Sequence, residues 1–282
     1  MLELARGANA RSIFVVGIGR DVGKTTTLRA IYDAACAGSL SVGLASCGIA
    51  SSRKPQLWLK PETVFVTARD ALPRTPAVEI LRLSPLPTAG GRLLYARVAA
   101  AGKYELAGPP TASGVSEVVD DLCELSEMVI IDGAVDRVAA LAGAKGAIVV
   151  ACGAAAAKTM PEAVDEISSL VARLSIPPYD PAEPAIQVDG ALTASSAAAL
   201  IAARERRQIV VRDPTQIAFS GKAGSRALER LRVRCHRPLR VIAATIASTA
   251  PERTFEPRAF ARAVADATGL PTFDVYASAR AA

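Results

Sequence analysis

The sequence has little histidine and few aromatic side chains. His236 is its one histidine among 282 residues, and aromatic residues make up 4% of the chain. The five cysteines lie far apart and include no Cys-x-x-Cys pair, so the sequence offers no zinc-ligand set. An odd number of scattered cysteines favours reduced thiols, and therefore a cytoplasmic protein, over a disulfide framework.

The sequence also lacks long apolar runs. No segment approaches the roughly 18 consecutive apolar residues of a membrane-spanning helix, and the first residues lack the apolar centre of a signal peptide. We therefore expect no membrane association. At 51% hydrophobic and 21% charged, the chain is too apolar for large-scale disorder and long enough for a substantial core.

Positive charge is in excess, with a formal net charge of +6. Arginines are densest at residues 204–207 and 230–237. A basic cluster can bind nucleic acid, but neither aromatic interleaving nor a recognition-helix pattern accompanies this one, so a nucleic-acid partner is disfavoured. A solvated basic face and a contact with an acidic partner both remain open.

Strand and helix patterns alternate along the chain. A β-branched run at residues 12–17, a helical pattern at 24–37 and a second apolar run at 41–46 form a β-loop-α-β unit. Such alternation predicts an α/β fold with a P-loop NTPase-like, doubly wound, mostly parallel sheet and flanking helices. Two further runs, 92–98 and 104–107, predict a hairpin.

Proline marks the predicted domain boundary. Residues 177–184 contain four prolines and predict a linker. We expect a nucleotide-binding core at residues 1–176. Residues 185–282 are expected to form a second α/β half, which could be continuous with the same sheet.

The segment GIGRDVGKTT at residues 17–26 contains the strongest chemical motif. Phosphate binding needs inward main-chain N–H groups, a helix N-terminus facing the anion and a lysine that reaches the terminal phosphates. The common signature is Gly-x-x-x-x-Gly-Lys-Ser/Thr, and this chain has one extra residue before the second glycine. The candidate nucleotide contacts are Gly17, Gly19, Arg20, Asp21, Val22, Gly23, Lys24, Thr25 and Thr26. The alternative is a plain β–α turn.

A second candidate lies where an apolar run at residues 128–131 ends in Asp132. A phosphate-binding loop usually works with a carboxylate on a neighbouring strand, which holds the water shell of Mg²⁺. We therefore predict Thr25 and Asp132 as the Mg²⁺ residues, and Lys24 and Asp132 as the catalytic residues. The alternative is that Asp132 caps a helix predicted to begin near Val135.

The loop spacing and the Val-Gly-Lys-Thr ending resemble those of dethiobiotin synthetase and the cobyrinic acid amidating synthases. These enzymes belong to the SIMIBI class of P-loop NTPases. The resemblance implies ATP and Mg²⁺ as cofactors, with Lys24 on the β- and γ-phosphates, Thr25 on Mg²⁺ and Thr26 on the α-phosphate. Gly19 stands where the ParA/MinD branch has its second lysine, which disfavours a ParA-like dimeric switch but leaves a homodimer open. GTP is less favoured because the guanine-recognition code is absent.

Several motifs in order along the chain resemble the B subunit of the lysine 5,6-aminomutase reactivase. They are Gly43–Ser46, Lys54-Pro55, Thr63–Ala68, Glu105–Pro109, Asp132–Arg137, Asp213–Thr215 and Leu270–Val275. The resemblance implies two partners, a B12-dependent aminomutase and a MutS-like ATPase subunit. An acidic segment expected after the second strand is replaced by residues 49–52, which puts fast hydrolysis in doubt. An accessory reactivase, a dethiobiotin synthetase-like ligase and a nucleotide-binding protein without catalysis therefore all stay open.

Overall fold

The structure is a computed structural model that describes residues 1–47, 56–72, 77–88, 90–133 and 146–276. Its α-helices are α1 (Leu2–Gly7), α2 (Lys24–Ala37), α3 (Ala112–Leu125), α4 (Met160–Leu174), α5 (Ala194–Ala202), α6 (Gly221–Arg230) and α7 (Pro257–Thr268). Its strands are β1 (Ser12–Gly17), β2 (Val42–Ser46), β3 (Gln56–Leu59), β4 (Val64–Ala68), β5 (Val78–Thr88), β6 (Gly91–Val98), β7 (Gly102–Glu105), β8 (Met128–Asp132), β9 (Ala147–Gly153), β10 (Ala185–Gln187), β11 (Gln208–Val211), β12 (Val233–Cys235), β13 (Arg240–Ala247), β14 (Thr249–Ala250), β15 (Arg253–Thr254) and β16 (Thr272–Asp274).

A nine-stranded sheet forms the centre of the molecule. Its strand order is β16-β13-β9-β1-β8-β2-β4-β6-β5. Every pairing from β16 to β4 is parallel, whereas β6 and β5 add an antiparallel edge. The carboxyl ends of β1 and β8 therefore lie side by side at one edge of the sheet.

Helices cover both faces of this sheet because β1 is apolar on both sides. Ile13 and Val15 belong to a core with α1 and α2, while Phe14 and Val16 belong to a second core with α3, α4 and α7. Successive side chains of a strand point to opposite faces, so one buried strand contributes to two cores. The α/β fold with a mostly parallel central sheet, predicted from the sequence, is confirmed.

A smaller three-stranded parallel sheet, β10-β11-β12, lies apart from the large one. It shares its own core with α5 and α6, in which Ile209, Val211 and Val233 are buried. The chain then returns to the large sheet through β13 and β16. Within the predicted second half at residues 185–282, the part up to β12 therefore forms a separate sheet, and the later strands complete the first.

The predicted hairpin between residues 92–98 and 104–107 is wrong. Strand β6 pairs with β4 and β5, whereas β7 pairs with β3 in a separate two-stranded sheet. The pairing of β3 with β7 places Leu57 opposite Tyr104, and both side chains are buried. Burial of these apolar side chains accounts for a pairing that the local turn signal did not predict.

Helix length bears on membrane association. Within the described ranges, α4 is the longest helix at 15 residues, and none of the described helices is long and apolar enough to cross a bilayer.

Candidate functional site

Residues 17–26, here called the 17–26 loop, connect β1 to α2 at the carboxyl edge of the large sheet. Helix α2 begins at Lys24, and Gly23 precedes it with φ +91°. That φ favours glycine because a side chain would be strained there. A Cβ on Gly23 would also lie 2.8 Å from the Cβ of Ala247. The second glycine of the motif is thus required both by its backbone angle and by the close approach of β13.

The main-chain N–H groups of this loop are largely unused by the part of the protein that the structure describes. In the described part of the chain, the N–H groups of Gly19, Arg20, Asp21, Val22 and Gly23 donate to no protein acceptor. Thr25 and Thr26 lie in the first turn of α2, where N–H groups have no partner within the helix. The loop therefore presents a run of donors ahead of a helix N-terminus, the arrangement that favours an anion.

Two further glycines hold the loop against the sheet. A Cβ on Gly17 would lie 2.8 Å from Cγ2 of Val22 and 2.9 Å from Cγ of Lys24. A Cβ on Gly153, the last residue of β9, would lie 2.7 Å from the Cα of Val22. Val22 itself is buried, so the loop curls back onto the ends of β1 and β9. Gly153 and Ala247 were not identified from the sequence, because both touch the loop only through long-range packing.

Lys24 lies across the loop. Its Nζ donates to the carbonyl oxygen of Gly19 at 2.6 Å. Thr27 lies three residues further along α2 and is buried. A 2.7 Å hydrogen bond joins its hydroxyl group to the hydroxyl group of Thr245 in β13 and fixes α2 to the sheet. The hydrogen bond to Gly19 therefore holds the Lys24 ammonium group against the 17–26 loop.

Asp132 lies at the carboxyl end of β8, beside the loop. It is paired with Val15 of β1 and Ser46 of β2. The next residue, Gly133, donates from its N–H to the carbonyl of Val15 at 2.8 Å, and a Cβ there would lie 2.6 Å from that oxygen. The strand order therefore brings the predicted carboxylate to the same edge as the predicted lysine.

The electrostatics connect these two side chains. Burial raises the pKa of Asp132 from 3.8 to about 6, and the positive charge of Lys24 partly opposes that rise. A carboxylate with a raised pKa next to an ammonium group, at the carboxyl edge of a parallel sheet, is typical of a functional site.

The raised pKa leads to a prediction about stability. In the folded state the Asp132 carboxyl holds its proton up to about pH 6, whereas the unfolded chain releases it near 3.8. The contribution of the Asp132 carboxyl to the free energy of unfolding is therefore fully present below pH 3.8 and is lost as the pH rises through 6. We expect Asp132→Asn to raise the free energy of unfolding at pH 7.5 by about 1–3 kcal/mol and to leave it unchanged at pH 4.

Urea unfolding of both proteins across that pH range measures this difference. Other acidic groups titrate equally in the two proteins, so the difference between them isolates Asp132. A difference that does not depend on pH would show that the Asp132 carboxyl is not desolvated.

Lys60 and Asp213 make their contacts away from the 17–26 loop, and other motif residues lie outside the described residues. Lys60 pairs with Asp33 of α2 at 3.9 Å, nine residues beyond Lys24 and therefore about 13 Å further along the helix. Asp213 accepts a hydrogen bond from the N–H of Thr215 at 3.0 Å and so caps a short turn. Lys54, the helix expected near Val135, and Arg137 lie outside the described residues, so the capping alternative for Asp132 stays a prediction.

Comparisons with protein-family models, with curated proteins and with solved structures find no match. The residues and geometry of the 17–26 loop and Asp132 are therefore the features from which a function is inferred.

Proposed function

We propose that this chain binds a nucleoside triphosphate with Mg²⁺ in the 17–26 loop, with ATP favoured over GTP. The observation that carries the proposal is the run of N–H groups from Gly19 to Gly23 that donate to no acceptor among the described residues. This run leads into the N-terminus of α2, with Lys24 at its first position. Polyphosphate is the common ligand that uses main-chain donors, a helix N-terminus and an ammonium group together.

Each residue then has a defined role. The N–H groups of the loop hold phosphate oxygens, and Lys24 exchanges its contact with the Gly19 carbonyl for the β- and γ-phosphates. By resemblance, Thr26 contacts the α-phosphate. Thr25 and Asp132 hold Mg²⁺, which neutralises phosphate charge when bound. Arg20 is exposed in the same loop, and we propose that its guanidinium also contacts the phosphates.

Mg²⁺ fits this site as a companion of the nucleotide. Among the described residues, no three His, Cys, Asp or Glu side chains cluster in a way that could hold a metal ion by themselves. Mg²⁺ usually keeps several waters and combines one or two carboxylates with substrate phosphates. The pair of Thr25 and Asp132 meets that requirement, so we expect metal binding to depend on nucleotide.

The narrower proposal concerns biological role. We propose an accessory subunit of the reactivase type, which acts on a B12-dependent aminomutase together with a MutS-like ATPase subunit. Its support is the ordered series of motifs from Gly43–Ser46 to Leu270–Val275 in the sequence. Co-purification with an aminomutase, and reactivation of that enzyme with ATP, test this role.

Replacement of Asp132 by asparagine tests the site. We expect Mg²⁺-dependent ATP turnover to fall about tenfold or more, and ATP affinity without Mg²⁺ to change less than about threefold, because the carboxylate acts on the metal. Turnover measured with and without an aminomutase partner also separates the alternatives. Turnover that needs a small substrate and no protein would indicate a ligase, and binding without turnover would indicate lost catalysis. A wild-type rate in the variant would assign Asp132 to capping.

A further inference from the structure

The positive charge of the chain is concentrated in one stretch. Residues 204–240 contain eleven Lys and Arg against three Asp and Glu, whereas the rest of the chain is close to neutral. This stretch includes α6, β11 and β12 of the small sheet. The 17–26 loop and Asp132 belong to the large sheet and take no part in it.

The topology gathers five of these cations at one edge. Arg206 and Arg207 directly precede β11, and Arg232 directly precedes β12, the parallel neighbour of β11. The N–H of Ile209 donates to the carbonyl of Arg232 at 2.9 Å, so the starts of the two strands are in register. Helices α5 and α6 end at the same edge, followed by Arg204 and including Arg230. We call Arg204, Arg206, Arg207, Arg230 and Arg232 the arginine edge.

Two of the five arginines already bind carboxylates. Arg207 donates two hydrogen bonds to Glu205, from Nε to Oε1 at 2.9 Å and from Nη2 to Oε2 at 2.7 Å. Arg232 forms an ion pair with Glu183. Arg204, Arg206 and Arg230 are exposed, and within the described ranges none of their guanidinium groups has a carboxylate oxygen within 4.0 Å. Three guanidinium groups of the arginine edge can therefore bind carboxylates of another molecule.

The backbone at Arg204 is a second observation. Its φ is +53°, in the left-handed region that favours glycine after a helix. Placement near helix C-termini explains part of the preference for cations at Arg204 and Arg230. Helix C-termini do not explain why Arg204 has a backbone conformation that disfavours side chains. They also do not explain the charge at Arg206, which lies beyond the end of α5. Arg204 therefore carries its charge in a backbone conformation that a side chain does not favour.

We infer that the arginine edge is a docking surface for an acidic patch of a partner protein. Guanidinium groups match carboxylates in a bidentate geometry, as Arg207 and Glu205 show, and arginine is enriched at protein interfaces. A single-stranded nucleic acid would need aromatic platforms. Tyr179 contacts His236 near the opposite end of β12, and Phe219 packs in the small core. This inference does not depend on nucleotide binding.

The test compares two triple variants with the same change in charge. One is Arg204→Glu, Arg206→Glu and Arg230→Glu, and the control is Arg92→Glu, Arg258→Glu and Arg262→Glu, all exposed residues. The probes are labelled poly-glutamate and duplex DNA of matched length, at about 50 and 200 mM salt without nucleotide. We expect the first triple to weaken poly-glutamate binding about tenfold, the control less than about twofold, and salt to weaken binding to the wild type.

A single variant, Arg204→Gly, guards against misfolding, because glycine adopts this φ without strain. It is expected to fold with an undiminished unfolding midpoint and still to lose poly-glutamate affinity. Equal losses in both triples, or no binding of poly-glutamate at the lower salt, would overturn the inference. Tighter binding to DNA than to poly-glutamate, lost in the first triple, would reassign the edge to nucleic acid.

Discussion

Replacing Lys24 with alanine is expected to weaken ATP binding by about a hundredfold or more while the fold stays intact. The ammonium group is a side-chain cation bonded across the 17–26 loop, 2.6 Å from the Gly19 carbonyl oxygen. Without it, the charge of the terminal phosphates would be balanced by main-chain dipoles, Mg²⁺ and the exposed Arg20, with no ammonium group at the start of α2. Calorimetric titration with Mg·ATP measures the loss.

Two controls make this result specific. Lys103→Ala removes an exposed lysine on β7 and is expected to bind ATP as the wild type does. Lys24→Arg keeps the charge but replaces a compact ammonium group with a planar fork, and we expect it to bind poorly as well. Unchanged ATP affinity in the alanine variant would refute the assignment of the loop.

Gly153→Ala has the second largest expected effect, and it acts on the loop from outside. The added Cβ would lie 2.7 Å from the Cα of Val22 and 3.0 Å from its carbonyl carbon and oxygen. These are main-chain atoms, so the loop itself must move. We expect the free energy of unfolding to fall by about 1–3 kcal/mol and ATP affinity to fall about tenfold or more.

Gly7→Ala is the matched control, since nothing lies within 4 Å of a Cβ at Gly7. Its free energy of unfolding should stay within about 0.5 kcal/mol of the wild type. Urea unfolding gives the stability of each variant, and nucleotide titration well below the unfolding midpoint gives the affinity. Loss of stability with full affinity for ATP would separate Gly153 from the site.

The features of the candidate site that depend on neighbouring residues in the sequence were predictable from the sequence. Glycine and apolar periodicity act over a few residues, so the boundaries of β1 and α2 follow closely from the sequence. An acid at the end of an apolar strand also predicted the position of Asp132. These signals are local because each reflects backbone angles or the burial of one strand.

The remaining features depend on contacts between distant segments. No local signal places β8 between β1 and β2, joins β7 to β3, or separates β10–β12 into a second sheet. The packing of Gly153 and Ala247 against the loop is of the same kind, because either residue looks ordinary in its own strand. Local sequence patterns predict which residues carry the chemistry, and the structure adds which strands bring those residues together.

The most direct test is the binding of a fluorescent ATP analogue to the wild-type chain, with and without about millimolar Mg²⁺. We predict saturable binding that unlabelled ATP displaces and that Mg²⁺ strengthens, together with slower amide hydrogen exchange at residues 19–26. The account would be contradicted if the chain does not bind the analogue at any magnesium concentration. It would also be contradicted if the chain binds the analogue while amide hydrogen exchange at residues 19–26 stays unchanged.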